Sequence, residues 1–464
     1  MLKTIRFLSL FGILIFFTSC ATYYQKNAKF QSEIGKGQFE KAQVILNKNK
    51  KGPTGKNKVL YYMNDGWVKY MLRNYKGSIQ SFETANNLIA DQQKNYAMSA
   101  LTLLTNPMIL PYEASDVEDV MINYYKSLSF LFQNDRQGAL IEARQITNKL
   151  YAINDKYKKY KNHYSDDAFA HVLIGLIYEA SRNYNDAFIA YRNALKVYED
   201  VYENNFGFGA PEQLKKDILR TASFTGFHSE KEFYEKKFGM TYKKDNHDGG
   251  YVVFLWENGF GPVKDEWSIN FTVVKGVGGA VVFENEELGL SFPFVAPPGS
   301  GSGSFGDLNI VRVAFPKYLE RKPIFTSAYC QINDKKYNLE LAEDLNAIEF
   351  KTLNDKMLRT LASSLLRLAT KKAVEYVARK ENENVGAALG LINAITEKAD
   401  TRNWQTLPHG ISYVRIPVPA GESNLHFVTS GPEGQQEHDI PISVSKGNTI
   451  FYDFRSLESY PASN

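Results

Sequence analysis

Apolar positions along the 464 residues fall into distinct regimes. Phe7 to Phe17 form an apolar run behind Lys3 and Arg6, and the run ends at Thr18, Ser19 and Cys20. From about residue 30 to 245 apolar residues recur at the spacing of helices with one buried face, set among lysines and tyrosines. After the charged, glycine-containing KKDNHDGG at 243–250 the period becomes two: YVVFLWENGF, WSINFTVV, GAVVFENEELGLSFP, LNIVRVAFPKY, IFTSAYCQIND and KKYNLELAED predict strands. Residues 344–400 return to a helical period, with Leu358, Leu361, Leu365, Leu368 and Val374 or Ala373 on one stripe. The closing segment alternates again, predicting four short strands with turns at Ala420-Gly421, Gly431 to Gly434 and Lys446-Gly447.

The helical part is self-similar. In HVLIGLIYEASRNYNDAFIAYRNAL the residues Gly175, Tyr178, Tyr184, Ala187, Tyr191 and Ala194 fall at the tetratricopeptide spacing, where small residues let two antiparallel helices approach and aromatics fill the gap. A second unit matches through Tyr62, Gly66, Tyr75, Ser78, Phe82 and Ala85, and a half-unit supplies Gly37, Phe39, Ala42 and Leu46. A weaker unit has Ser127, Phe130, Ala139, Ala143 and Ile146. The corresponding positions Phe39, Tyr75, Arg136 and Tyr184 are 36, 61 and 48 residues apart, so insertions interrupt the array. One, near 90–118, contains the apolar LTLLTNPMIL broken by Pro107 and Pro111, and reads as a loop folded onto the helices or a lip over their concave face.

The expected architecture is therefore α+β and multidomain: an α-solenoid of tetratricopeptide-like helix pairs, then a β-rich domain with a helical insertion. The expected divisions are a leader at 1–19, a linker at 20–30, the helical domain at 31–245, a β-rich domain at 246–343, the insertion at 344–400 and a C-terminal strand module at 401–464. The insertion helix over 353–380 either packs on the sheet or lies on a membrane as a basic amphipathic helix.

The leader decides the compartment. A short positive region, an apolar run too short to span a bilayer, and a cysteine in place of an A-x-A site describe a bacterial secretion signal similar to a lipobox. Cys20 is then the acylated N-terminus, and membrane lipid is the first expected partner. Ala21, Thr22 and Tyr23 follow without an inner-membrane retention aspartate or an acidic export run, which favours the periplasmic face of the outer membrane.

Charge and motifs narrow the function. Losing Lys3 and Arg6 with the leader takes the net charge from +4 to +2, too balanced for a nucleic-acid binder. Cys330 is the other cysteine of the chain, in an alternating strand, and reads as a small buried hydrophobe. The histidines lack zinc spacings, no G-x-S-x-G or S-x-x-K set is present, and APPGSGSGSFGD lacks the lysine of a phosphate loop. No metal, cofactor or catalytic residue is expected.

Two clusters go beyond a generic repeat. Pro111-Tyr112-Glu113, Glu118, Tyr124-Tyr125 and Glu142-Ala143-Arg144 form the first; Ala399-Asp400-Thr401-Arg402, Trp404, Leu407-Pro408, Arg415 and Pro419-Ala420-Gly421 form the second. Together they resemble a family of bacterial tetratricopeptide-containing envelope lipoproteins of unassigned function. The resemblance implies a periplasm-facing lipoprotein, with relatives associated with the lipoprotein activator of penicillin-binding proteins. Glu142, Arg144, Asp400, Arg402 and Trp404 are the candidate interaction surface, although ion pairing within a helix and a plug between helix and sheet explain them more economically. The expected function is a non-enzymatic, lipid-anchored scaffold that binds an envelope protein. The alternative is a surface glycan-binding lipoprotein similar to the starch-binding helical-repeat family.

Overall fold

The computed structural model describes residues 22–94, 107–156, 163–244, 247–275, 280–295, 310–381 and 398–463. The leader and Cys20, most of LTLLTNPMIL, the glycine-rich loop and GAALGLINAI lie outside the described residues. Of the expected linker at 20–30, the described residues 22–30 are largely helical: α1 (Tyr23–Lys26) begins on a capping box in which Thr22 and Gln25 satisfy each other's backbone N–H, and α2 (Ala28–Gly35) follows at once.

Helical hairpins then succeed one another: α2 with α3 (Phe39–Lys48), α4 (Lys58–Met71) with α5 (Tyr75–Lys94), α6 (Asp116–Leu131) with α7 (Arg136–Lys156), and α8 (Ala168–Ala180) with α9 (Tyr184–Val197). A further pair, α10 (Glu212–Thr225) with α11 (His228–Phe238), was not expected from the sequence. One backbone feature shows that these are copies of a single unit. Two residues before each second helix stands a residue in the left-handed region: Gly37 (φ 67°), Arg73 (58°), Asn134 (60°), Arg182 (61°) and Gly226 (75°). Each closes its first helix and turns the chain back.

The small residues do what their spacing predicts. A Cβ on Gly175 would sit 2.4 Å from the Tyr191 ring, and one on Gly66 2.8 Å from that of Phe82. Ser78 Oγ donates to the Gly66 carbonyl at 2.8 Å, and Ala42, Ala85, Ala139, Ala187 and Ala194 are buried at the helix contacts. Phe39 and Tyr75 are partly buried against the same core. The helical half is thus a tetratricopeptide-type solenoid.

The strands do not divide at 343. A central sheet has the order β12 (Thr449–Arg455), β1 (Gly249–Asn258), β9 (Gly410–Pro419), β8 (Glu340–Asp344). A second sheet has the order β11 (Gly434–Val444), β10 (Gly421–Gly431), β6 (Ser327–Ile332), β7 (Lys335–Asn338). Both mix strands from 246–343 with strands from 401–464, so the expected separate C-terminal module is wrong; the two segments build one sandwich. β1 pairs antiparallel with β9 and parallel with β12.

Alternation along β1 explains the layering. Val252, Phe254 and Trp256 face the second sheet, with Cys330 buried among them, whereas Val253 and Leu255 face the helices. A third sheet, β4 (Leu290–Val295), β3 (Ala280–Asn285), β2 (Val263–Lys275), β5 (Ile310–Leu319), has its own core with the long helix α12 (Leu345–Glu381). Leu361, Leu365 and Ala369 are buried there, so this helix packs on a sheet. The expected stripe was partly misassigned, since Leu358 and Val374 are exposed. Among the described residues no helix is long and apolar enough to cross a membrane.

Candidate functional site

The first helices of the hairpins line the concave face of the solenoid, and that face is filled by the chain's own central sheet. α6 and α8 are buried around almost their whole circumference. The two residue clusters singled out in the sequence meet at this seam.

Their junction starts from a helix cap. Ser115 caps α6 by accepting from Glu118 N, and Glu118 Oε2 accepts from Ser115 N at 2.7 Å. The same buried carboxylate accepts from Tyr112 OH, and its other oxygen accepts from the backbone N of Trp404. One acid therefore caps a helix, ties the insertion to it and pins residues 398–407 across the groove. The Trp404 ring is buried against Phe82 and Tyr125, with centroids 5.8 and 5.9 Å away. Arg402 is also buried. It pairs with Asp400 at 2.5 Å, donates to Asn57 Oδ1 and to the carbonyls of Leu110 and Pro107, and stacks over Tyr112 at 5.4 Å.

Further along, α4, α6, α8 and α10 send polar groups to the sheet. Tyr70 OH donates to Asp453 at 2.6 Å and Tyr125 OH to Glu257 at 3.0 Å, and Arg455 lies 3.4 Å from Glu257. Glu179 receives Arg220 from α10 at 2.6 Å, Arg415 from β9 at 2.8 Å and Tyr191 OH at 2.9 Å. Asp217 completes this group, bonded to Arg220 and accepting from Tyr413 OH at 3.2 Å. Tyr198 donates to the Ala342 carbonyl and Tyr202 to Glu343.

Burial governs the electrostatics. It raises the Glu179 carboxyl, but Arg220 and Arg415 outweigh it and hold the group at about 2. Burial, reinforced by Glu118, pushes Glu349 up to about 7 from an ordinary value of 4.5; its hydrogen bonds from Tyr318 OH at 2.6 Å and Ser115 Oγ at 3.1 Å offset only part of this. Burial also raises Glu343 well above the usual range, with Asp167 adding to it, and raises Asp453, with Glu257 adding to it. These groups are buried and bond across the interface between helices and sheet, and their chemistry is that of a lock.

The sequence candidates separate accordingly. Asp400, Arg402 and Trp404 sit in the seam. Glu142 does not: it accepts from Asn123 at 2.7 Å and pairs with Lys126 at 2.9 Å, inside the solenoid. Arg144 is exposed and stacks over Tyr178 at 5.2 Å, so these five residues do not form one surface. Tyr70, Glu179, Asp217, Arg220, Glu257 and Asp453 were missed. The signal available for Glu179, Glu257 and Asp453 was a carboxylate inside an otherwise apolar helix or strand pattern.

No protein-family model matches the sequence, and no characterised protein matches it. Among solved structures, MamA is similar over 44% of this chain and 90% of its own, at 15% identity and a TM-score of 0.28. The apo form of RapI is similar over 46% of this chain and 68% of its own, at 15% identity and a TM-score of 0.33. BtubC from P. vanneervenii is similar over 46% and 80%, at 12% identity and a TM-score of 0.29.

Proposed function

We propose that this protein is a lipoprotein adaptor of the cell envelope, held by acylated Cys20 at the periplasmic face of the outer membrane, which binds a partner protein in cell-envelope or peptidoglycan-related assembly. The observation that carries the reading is the division of surfaces. The solenoid's concave face, where such repeats usually take a ligand, is occupied by the chain's own sheet. The third sheet and α12 form a separate layer that leaves Leu358, Leu366, Val374 and Val377 exposed along one long helix. Leu366, Val374 and Val377 fall on one side of that helix, and exposed apolar side chains grouped in this way are a feature of docking surfaces.

The chain enters the fold close to the proposed anchor. Tyr23 N donates to Thr401 Oγ1 at 3.1 Å, and Gln31 Nε2 to Gln405 Oε1 at 3.2 Å. Cys20 precedes Thr22 by two residues, about 7 Å of extended chain. An acyl group there would keep the folded body close to the bilayer.

Two experiments test the reading. Palmitate labelling should mark the wild type and not Cys20→Ser; equal labelling of both sinks the anchor. Photo-crosslinkers placed at Leu366 and Val377 in cells should capture an envelope protein that a crosslinker at the exposed Ile189 of α9 does not. Capture only from Ile189 would place the partner on the convex helices and contradict the assignment.

A further inference from the structure

Charge is unevenly spread along the chain. Residues 22–58 carry nine lysines against two glutamates, a net +7, while the chain from Cys20 onward totals only +2. This excess is concentrated in the first helical hairpin and the loop after it. Because α2 and α3 run antiparallel, the start of α2 lies beside the end of α3. Lys26 and Lys29 at the one, and Lys48, Lys50 and Lys51 at the other, therefore share one end of the hairpin. All five side chains are exposed and none forms an ion pair among the described residues. The two acids, Glu33 and Glu40, lie toward the opposite end, around the turn at Gly37.

The basic end is also the end at which the chain enters. Thr22 and α1 sit there, and the bonds of Tyr23 to Thr401 and of Gln31 to Gln405 fix the hairpin to the seam. A rigid body tethered at this point presents these lysines to whatever surface holds the tether.

We propose that the end of the first hairpin bearing Lys26, Lys29, Lys48, Lys50 and Lys51 is a membrane-facing surface that binds the anionic headgroups of the bilayer. Its nearness to a bilayer rests on the acylation of Cys20 proposed above; its affinity for anionic lipid does not. Each lysine close to an anionic surface contributes about 1 kcal/mol, equivalent to about a fivefold change in binding. The attraction is screened within a Debye length. With acyl chains supplying the anchor, the patch sets orientation: it fixes which side of the body meets the lipid.

The test uses a soluble form beginning at Ala21, so that no acyl group takes part. It should co-float with vesicles containing about one-third phosphatidylglycerol at about 0.05 M salt, and lose most of that binding at about 0.3 M. Vesicles of phosphatidylcholine alone should not bind. Replacing all five lysines by glutamine should weaken binding by roughly a hundredfold or more while leaving the melting temperature unchanged. Replacing Lys236 and Lys237 at the far end of the solenoid should change it less than about threefold. Equal binding to neutral vesicles, no binding to anionic ones, or an unaffected five-lysine variant would each overturn the proposal. Acylation is read separately from palmitate labelling of the full chain. A labelled protein with no intrinsic lipid affinity removes the patch and keeps the anchor; the reverse result removes the anchor and keeps the patch.

Discussion

Arg402 shows how much of the structure one side chain can hold. It is buried and serves Asp400, Asn57 and two backbone carbonyls of the insertion at once. Arg402→Ala should destabilise by about 3–5 kcal/mol, because it strands those acceptors away from water. Arg402→Lys should recover only part, since an ammonium cannot reproduce the planar fork. Urea unfolding of the three proteins checks this, and a cost below 1 kcal/mol would mean that the groups find water. Gly175 is a second such position. Gly175→Ala forces a methyl to within 2.4 Å of the Tyr191 ring and should cost about 1–3 kcal/mol, whereas Gly35→Ala, with open space around it, should be neutral or slightly stabilising. Gly175 was legible in the sequence because its partner Tyr191 lies on the next helix at a fixed spacing. The partners of Arg402 were not, because Asn57 and Leu110 lie hundreds of positions away and no local pattern connects them.

At the scale of elements, the hairpins that were read from sequence are those that keep the small and aromatic positions. The α10–α11 pair keeps only the backbone turn at Gly226, and His228 stands where the other units carry Phe39, Tyr75 and Tyr184, so its repeat character shows only in dihedral angles. Strands were legible by alternation, but their grouping was not: β1 pairs with residues more than 150 positions onward, and alternation says which face a residue takes without saying which strand it meets. α12 misled for a physical reason, since its buried stripe is narrow and two of the six candidates fall beside it. Where α12 meets α6, Glu349 has its carboxyl raised to about 7. A raised carboxyl stabilises fully below its unfolded value near 4.5, and that contribution is lost as pH rises through about 7. The wild type should therefore lose on the order of 2–3 kcal/mol between about pH 5 and pH 8 through this group. Glu349→Gln should show a correspondingly flatter profile in urea midpoints measured across that range. An unchanged slope in the variant would show that Glu349 titrates normally. Glu179, held at about 2, acts with the opposite sign: its contribution is present above about 4.5 and disappears only in strong acid.

At the scale of the whole molecule, the solenoid and the sandwich complete each other. Helices that in a free-standing repeat array would expose a groove are here covered by β1, β9 and the Trp404 segment. The sandwich in turn uses them as its third layer. The two halves should therefore unfold together, and a chain ending at residue 245 should expose apolar residues of α6 and α8 and aggregate. Under the proposals above, recognition falls to outward surfaces: the lysine-rich hairpin end for lipid and the layer of α12 for a protein. The account stands most directly on the claim that the groove is filled from within, and hydrogen exchange of the intact protein tests it. Amides of residues 116–131, 168–180 and 249–258 should exchange slowly and with one common opening free energy, that of global unfolding. If the two helices exchange at a much lower free energy than β1, the groove opens independently of the sheet and the claim is contradicted.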